Sequence, residues 1–184
     1  MLKAVVLLAP GFEEIEAITV IDVLRRANIS VRIAAVASDG DLLVAGSHNI
    51  SVKADCLVNE LSCAALDLLV FPGGLPGSQH LADSEEVQQL AKEVAKKGGK
   101  VAAICAAPIA LNAAELLSDT KYTCYPSFEE QIEAGEYTAA RVQVSGNTIT
   151  ACGPGASMEF AFTILEELGL KELAENLKKE MQVG

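Results

Sequence analysis

The chain has 184 residues, half of them apolar, with few aromatic side chains and no tryptophan. This length fits one domain over residues 1–184, with a core built from Val, Ile, Leu and Ala. A formal net charge of −11 disfavours nucleic acid and anionic membrane surfaces as partners, because both would repel the protein.

The first half of the chain alternates between predicted strands and helices. Residues 3–9 predict a buried strand rather than a signal peptide, because the apolar run is short and passes directly into the acidic stretch that ends at Glu16. The other elements predicted in this half are a helix over about 13–28, a strand over 31–37, a small hairpin within 41–55 and a strand over 66–72.

The second half continues the alternation. Ser84, followed by two glutamates, predicts a helix start, and Gly98-Gly99 predicts its end. The later predicted elements are a strand over 101–104 with a helix after it, a short strand near 121–125, two strands within 141–152, and helices near 157–168 and 171–181. Such alternation predicts an α/β sandwich whose mainly parallel sheet is covered on both faces. Ligands bind beyond the carboxyl ends of such strands, here in loops 9–16, 72–79 and 105–108.

Cys105 lies where the strand over 101–104 should turn sharply into a helix. Ala106 and Ala107 are small enough for a tight turn, and Pro108 suits a first helical turn. A thiol in that turn faces free backbone N–H groups and the positive end of a helix dipole, which favour the thiolate. The position predicts a nucleophile, and the alternative is a buried core cysteine.

The other cysteines form no recognisable metal or disulfide pattern. The chain has five cysteines and two histidines, without a Cys-x-x-Cys pair or zinc spacing. Reduced thiols in the cytoplasm fit best, no metal is expected, and the remaining cysteines are interpreted as inert: Cys56, Cys63, Cys124 and Cys152. The glycine loop at 72–79 lacks the Gly-Lys-Ser/Thr ending of a phosphate loop, so no cofactor is expected.

Four motifs together resemble the ThiJ/PfpI superfamily, in particular the branch of the parkinsonism-associated deglycase and its bacterial relatives. They are Ala-Pro-Gly-Phe-Glu-Glu-Ile-Glu (9–16), Phe-Pro-Gly-Gly-Leu-Pro-Gly (71–77), Ala-Ala-Ile-Cys-Ala-Ala-Pro (102–108) and Gly-Pro-Gly-Ala-Ser-Met-Glu-Phe (153–160). The resemblance covers nearly the whole chain. It implies a flavodoxin-like three-layer fold, similar to class I glutamine amidotransferases, that usually forms a homodimer.

The resemblance also implies the members of the site. Cys105 is the nucleophile, Glu16 is the acid beside it, and the backbone N–H groups of Gly74 and Ala106 form the oxyanion site, with Gly73 letting the backbone come close. Two neighbouring anions are unfavourable in a partly buried site, so Glu16 is expected to hold a proton, donate a hydrogen bond to the Cys105 sulfur and titrate together with Cys105. The alternative for Glu16 is an ordinary first-turn acid, the interpretation given to the two preceding glutamates.

The chain departs from the family pattern in two places. Tyr125 stands where animal relatives carry a histidine, and a phenol with a reference pKa of ~10 is a poor base at neutral pH. Ala106 stands where peptidase-like members carry a histidine, so a protease is not expected. His48 lies where relatives carry a basic residue at the pocket mouth; it could orient an anion or a carbonyl, or be a surface histidine.

These features predict an enzyme that acts on reactive dicarbonyls or their early adducts, as a glyoxalase or deglycase that protects against carbonyl and oxidative stress. Cys105 would add to the aldehyde and Glu16 would move the proton. The alternative is a redox sensor or holdase chaperone that works through oxidation of Cys105. A role in thiamine-precursor biosynthesis is a third reading, which no residue supports.

Overall fold

A central sheet forms the middle layer of the structure, a computed structural model that describes residues 1–36, 40–62 and 66–183. The strands are β1 (Lys3–Leu8), β2 (Ser30–Ala35), β3 (Leu43–Ala45), β4 (Ser51–Lys53), β5 (Cys56–Leu57), β6 (Leu68–Phe71), β7 (Lys100–Ile104), β8 (Lys121–Tyr122), β9 (Glu136–Tyr137), β10 (Val142–Ser145) and β11 (Thr148–Ala151). Among the described residues, seven of these strands form the sheet in the order β10-β11-β7-β6-β1-β2-β5. All neighbours in it are parallel except β10 and β11, which form an antiparallel edge.

Helices cover both faces of this sheet. They are α1 (Glu14–Arg26), α2 (Gly77–Asp83), α3 (Glu85–Lys96), α4 (Pro108–Ala113), α5 (Ser157–Glu167) and α6 (Lys171–Glu180). Helices α1, α5 and α6 pack together on one face, and α2, α3 and α4 pack together on the other. The predicted flavodoxin-like sandwich with a mainly parallel sheet is therefore confirmed.

The strands fill both cores because successive side chains point to opposite faces. In β1, Val6 and Leu8 belong to the core beneath α1 and α5, whereas Val5 and Leu7 belong to the core beneath α3. Strands that are buried on both faces must be apolar throughout, which explains the uninterrupted hydrophobic runs of the sequence.

The predicted elements are present, with small differences at their ends. Helix α1 ends at Arg26 rather than near residue 28, and the hairpin within 41–55 consists of the antiparallel pair β3 and β4. The sequence patterns did not predict α2, which occupies part of the glycine loop, or the short strands β5 and β9. Residue 37 of the second predicted strand lies outside the described residues. That a single domain spans residues 1–184 stays a prediction.

Three loops meet at the carboxyl ends of β1, β6 and β7, as predicted. The loop after β1 leads to α1 on one face, whereas the loop after β6 leads to α2 on the other, and a crevice opens where neighbouring strands diverge in this way. The backbone N–H of Glu13 donates to the carbonyl of Gly73 at 2.8 Å, which joins the first two loops. Within the described residues, none of the helices has the length and apolar character needed to cross a membrane.

Candidate active site

Cys105 forms a strained elbow between β7 and α4. Its φ of +64° is left-handed, a conformation that costs a residue with a side chain about 1–3 kcal/mol. Two backbone hydrogen bonds hold it there: its N–H donates to Ala151 at 2.9 Å, and its carbonyl accepts from the N–H of Tyr125 at 2.8 Å. The residue is partly exposed.

Backbone N–H groups surround the Cys105 sulfur. Those of Gly74 and Ala106 act on the thiol as hydrogen-bond donors and favour its anion. They are the two groups that the family resemblance assigned to the oxyanion site. The structure brings both to the sulfur, while their role toward a substrate stays a prediction.

Glu16 is the acid beside this thiol. It lies in the first turn of α1 and its side chain is fully buried. One carboxyl oxygen, Oε2, accepts the N–H of Gly73 at 2.7 Å. The carboxyl also interacts with the Cys105 thiol, and Oε1 has no nitrogen or oxygen partner among the described residues. Burial raises the pKa of Glu16 to about 7, although the hydrogen bonds from Gly73 and Cys105 oppose the change. The expectation that Glu16 tends to hold a proton agrees with this direction.

The expected anionic state of Cys105 at neutral pH stays a prediction, and other effects in the structure oppose it. Burial and the neighbouring Glu16 raise the pKa of the thiol to about 12, although Ala106 and Gly74 oppose the change. Helix α4 has only six residues, so its helix dipole does little to stabilise the thiolate. Between the two pKa values the thiol and the carboxyl share one proton, and they act as a coupled pair.

The glycine pair after β6 is required by close packing. A Cβ on Gly73 would lie 2.5 Å from Glu16 Oε2 and 2.6 Å from the Cβ of Cys105. Gly74 has a φ of +90°, and a Cβ there would lie 2.4 Å from the backbone nitrogen of Glu13. Only glycine lets this loop pass between the thiol and the start of α1.

Glu13 and Glu14 are not ordinary exposed first-turn acids, which corrects the sequence interpretation. Both are buried, and Glu13 caps α1 by accepting the N–H of Glu16 at 2.8 Å. Burial acts to raise the pKa of Glu14, but hydrogen bonds from the ring and backbone of His48 outweigh it and lower the pKa to about 2. Sequence reasoning missed Glu14, because neither the residues near it nor those near Gly46 signal a contact between two segments so far apart in the chain.

His48 lies on the surface, where it contacts Glu14. Its side chain is 69 % exposed, and Nδ1 lies 2.9 Å from Glu14 Oε2 and 3.8 Å from Glu13 Oε1. The hydrogen bond to Glu14 raises the pKa of His48. Potential ligand atoms of these three residues lie within 4.8 Å of one another, so a metal ion could be held there. The expected absence of metals and cofactors stays a prediction.

Tyr125 contributes its backbone rather than its hydroxyl to the elbow. Its half-exposed ring packs edge-on against Phe128, with centroids 6.4 Å apart. In the described part of the chain, nothing hydrogen-bonds to its hydroxyl, and the N–H of Tyr125 holds the carbonyl of Cys105.

The other described cysteines are free thiols that lie outside the site. Cys56 and Cys124 are buried, and Cys152 is partly buried. Burial raises the pKa of Cys124 to about 12, helped by Glu129. Cys63, also predicted to be inert, lies outside the described residues.

Comparison with known proteins identifies the family. The model of the DJ-1/PfpI family matches residues 2–167. The Danio rerio protein named Parkinson disease protein 7 homolog is 39% identical over 180 residues, which are 96% of this chain and 94% of the relative. The glutathione-independent glyoxalase DJR-1.2 of Caenorhabditis elegans is 32% identical over 182 residues, which are 97% of this chain and 95% of the relative.

Solved structures agree. Drosophila melanogaster DJ-1beta superposes with a TM-score of 0.94 at 38% identity, covering 100% of this chain and 98% of that one. Toxoplasma gondii DJ-1, in a structure described as oxidized, superposes with a TM-score of 0.93 at 35% identity. The match covers 99% of this chain and 98% of that one. Because the family model spans most of the chain and these relatives match it almost end to end, the protein belongs to the DJ-1/PfpI family.

Proposed function

We propose that the protein is a cysteine-dependent glyoxalase or deglycase that converts reactive dicarbonyls, or their early adducts, into hydroxy acids. The observation that carries the proposal is the pairing of Cys105, held in a left-handed elbow, with the fully buried carboxyl of Glu16. A thiol and an acid that share one proton near neutral pH can supply both a nucleophile and a proton carrier.

The chemistry balances without an external oxidant or cofactor. With methylglyoxal, the sulfur of Cys105 bonds to the aldehyde carbon, and the proton of the pair passes to the aldehyde oxygen to give a hemithioacetal. Glu16 then removes the hydrogen of that carbon and returns a proton to the neighbouring ketone carbon. The hydroxyl proton of the hemithioacetal passes to the ketone oxygen, so the first carbon is oxidised to a thioester and the second is reduced to an alcohol. Water hydrolyses the resulting thioester to lactate and restores the thiol. The N–H groups of Gly74 and Ala106 would stabilise the oxyanions.

The relatives favour this chemistry within the family. One of them carries the name glutathione-independent glyoxalase and matches the chain over nearly its whole length. A thiol supplied by the protein itself, Cys105, would remove the need for glutathione as the attacking thiol.

The test is lactate formation from methylglyoxal by freshly reduced protein. Native protein should turn over repeatedly, Cys105→Ala should lose turnover, and Glu16→Gln should lose about 10²-fold or more, the usual contribution of general acid–base catalysis. Cys152→Ala is the matched control, because it removes a partly exposed thiol outside the pair. Equal turnover by native protein and Cys105→Ala would refute the proposal, and methylglyoxal loss without lactate would reveal mere scavenging.

A redox-sensing role is a second candidate that uses the same sulfur. The N–H groups of Gly74 and Ala106 and the carboxyl of Glu16 could hydrogen-bond to the oxygens of an oxidised cysteine. Mass spectrometry after mild peroxide should show Cys105 oxidised before Cys56 and Cys152, and equal rates would exclude a sensor. Holdase activity, a role in thiamine-precursor biosynthesis and a cytoplasmic location stay predictions.

A homodimer is supported by exposed isoleucines beside the site. Ile15 and Ile18 lie on one face of α1 and are 57% and 42% exposed. Ile50 is 58% exposed, and its N–H donates to the carboxylate of Glu14, the residue before Ile15. A second copy would cover this apolar patch. Sedimentation should therefore show a dimer that Ile18→Glu dissociates, and an unchanged sedimentation coefficient would exclude this face.

A further inference from the structure

A single buried carboxylate, that of Glu14, accepts several hydrogen bonds from the turn that joins β3 to β4. Glu14 Oε1 accepts the backbone N–H groups of His48 at 2.7 Å and Ile50 at 3.3 Å, and Oε2 accepts the ring N–H of His48 at 2.9 Å and the hydroxyl of Ser47 at 3.3 Å. We call Glu14 with turn residues 46–50 the clasp.

The clasp leaves no space for a larger residue at its centre. A Cβ on Gly46 would lie 2.3 Å from Glu14 Oε1 and 2.4 Å from the carboxyl carbon. The carboxylate therefore lies directly against the turn backbone. The charged groups that face it are His48 and Glu13, whose Oε1 lies 3.8 Å from the His48 ring.

The clasped turn is bonded to the segment that enters the active site. The N–H of Ser47 donates to the carbonyl of Phe12 at 2.8 Å, and the N–H of Gly11 donates to Ala45 at 2.8 Å. Residues 11 and 12 thus pair with the hairpin on one side, and they lead directly into Glu13 and α1 on the other.

The same segment is packed against the glycine loop that faces the sulfur. The N–H of Glu13 donates to the carbonyl of Gly73 at 2.8 Å, and a Cβ on Gly74 would lie 2.4 Å from the backbone nitrogen of Glu13 and 2.7 Å from the carbonyl carbon of Phe12. The N–H of Gly73 binds Glu16, and that of Gly74 acts on Cys105. A continuous set of backbone contacts therefore joins the clasp to both members of the pair.

We propose that Glu14 is a positioning residue for the active site, because its clasp on turn 46–50 fixes segment 11–13 and, through it, the backbone donors of Gly73 and Gly74. Glu14 acts only through these backbone groups and is not a catalytic residue. The inference rests on the proposed function only in taking Cys105 as the reacting group, since reactivity of the sulfur is measurable without any dicarbonyl.

The test is the rate of Cys105 alkylation by iodoacetamide, followed by mass spectrometry as a function of pH in folded protein. Glu14→Ala removes every acceptor of the clasp. Gly46→Ala keeps the charge but pushes the carboxylate off the turn, and it serves if Glu14→Ala does not fold. Glu14→Gln removes the charge but keeps an oxygen for the N–H groups of His48 and Ile50. Asp22→Asn is the matched control, because it neutralises an exposed acid at the other end of α1.

Both disruptive variants should slow alkylation at pH 7 by ~3- to 10-fold and move its pH profile upward, the scale expected when one hydrogen bond to the pair is lost. Glu14→Gln and Asp22→Asn should stay near the native rate. Equal shifts for Glu14→Ala and Glu14→Gln, with none for Gly46→Ala, would show an effect of charge and overturn the proposal. If Glu14→Ala and Gly46→Ala are both less stable but keep a native alkylation profile, the clasp has only a structural role, and the proposal is overturned.

Discussion

Replacing Glu16 by Gln should stabilise the protein at pH 8 and do so much less at pH 5. Burial raises the pKa of Glu16 from 4.5 to about 7, so the folded state binds more protons than the unfolded state between these values. Stability from this group is therefore complete below pH 4.5 and is lost as the pH rises through 7. At 1.36 kcal/mol per pKa unit, the raised pKa of Glu16 lowers the free energy of unfolding, relative to its value below pH 4.5, by about 3 kcal/mol at pH 8 and by about 1 kcal/mol at pH 5.

Urea unfolding of native protein and Glu16→Gln at the two pH values measures this difference. The gain in free energy of unfolding should be about 2–3 kcal/mol larger at pH 8 than at pH 5. Comparing the gains cancels any effect of the amide that does not depend on pH. In the native protein the Cys105 thiol stays protonated over this range, because its pKa is raised to about 12.

Glu14→Gln provides a control of opposite sign two residues away. The pKa of Glu14 is lowered to about 2, so its ionised form stabilises the fold above pH 4.5, and that stability is lost as the pH falls toward 2. Glu14→Gln should therefore be destabilised at pH 8. If Glu16→Gln gains no more at pH 8 than at pH 5, the carboxyl of Glu16 titrates normally and the shared proton is refuted.

Three further substitutions test separate parts of the structure. Gly73→Ala should lose about 1–3 kcal/mol in urea unfolding and most of its Cys105 alkylation rate, because the new Cβ meets both members of the pair; a native-like variant would show that the loop is not tightly packed. Ser84→Ala should lose about 1 kcal/mol in the same assay, because its side chain accepts the N–H of Val87 at the start of α3, and an unchanged urea midpoint would contradict this. Tyr125→Phe should keep its methylglyoxal turnover, because Tyr125 holds the elbow through its backbone; a tenfold loss would assign a role to the hydroxyl.

The parts of the site that sequence could predict are those specified by neighbouring residues. The elbow at Cys105 depends on an apolar strand, two alanines and a proline in succession, and the structure contains that turn. The alternation of apolar strands and helices likewise predicted the sheet and its layers. Helix α2 escaped prediction because its first turn overlaps the glycine loop, whose Gly and Pro residues indicate a turn rather than a helix.

The clasp could not be predicted, because its contacts join residues more than 30 positions apart. Nothing near Glu14 distinguishes it from an exposed first-turn acid, and nothing near Gly46 shows that a carboxylate will lie against it. The upward shift in the pKa of Cys105 could not be predicted for a related reason. The local turn favours the anion, whereas burial and the neighbouring carboxyl are properties of the folded chain.

The shared proton explains why a thiol with a raised pKa can still be the nucleophile. With pKa values of about 12 for Cys105 and about 7 for Glu16, the proton of the pair lies mainly on the thiol at neutral pH. The proposed nucleophile would form when that proton passes to Glu16, which leaves the sulfur anionic without a second charge in the buried site. The attack on an aldehyde needs the proton on Glu16, and the later removal of a hydrogen from carbon needs Glu16 unprotonated. An acid with a pKa of about 7 can take both forms near neutral pH. Burial of Glu16, rather than activation of Cys105 alone, is therefore the feature on which the proposed catalysis depends.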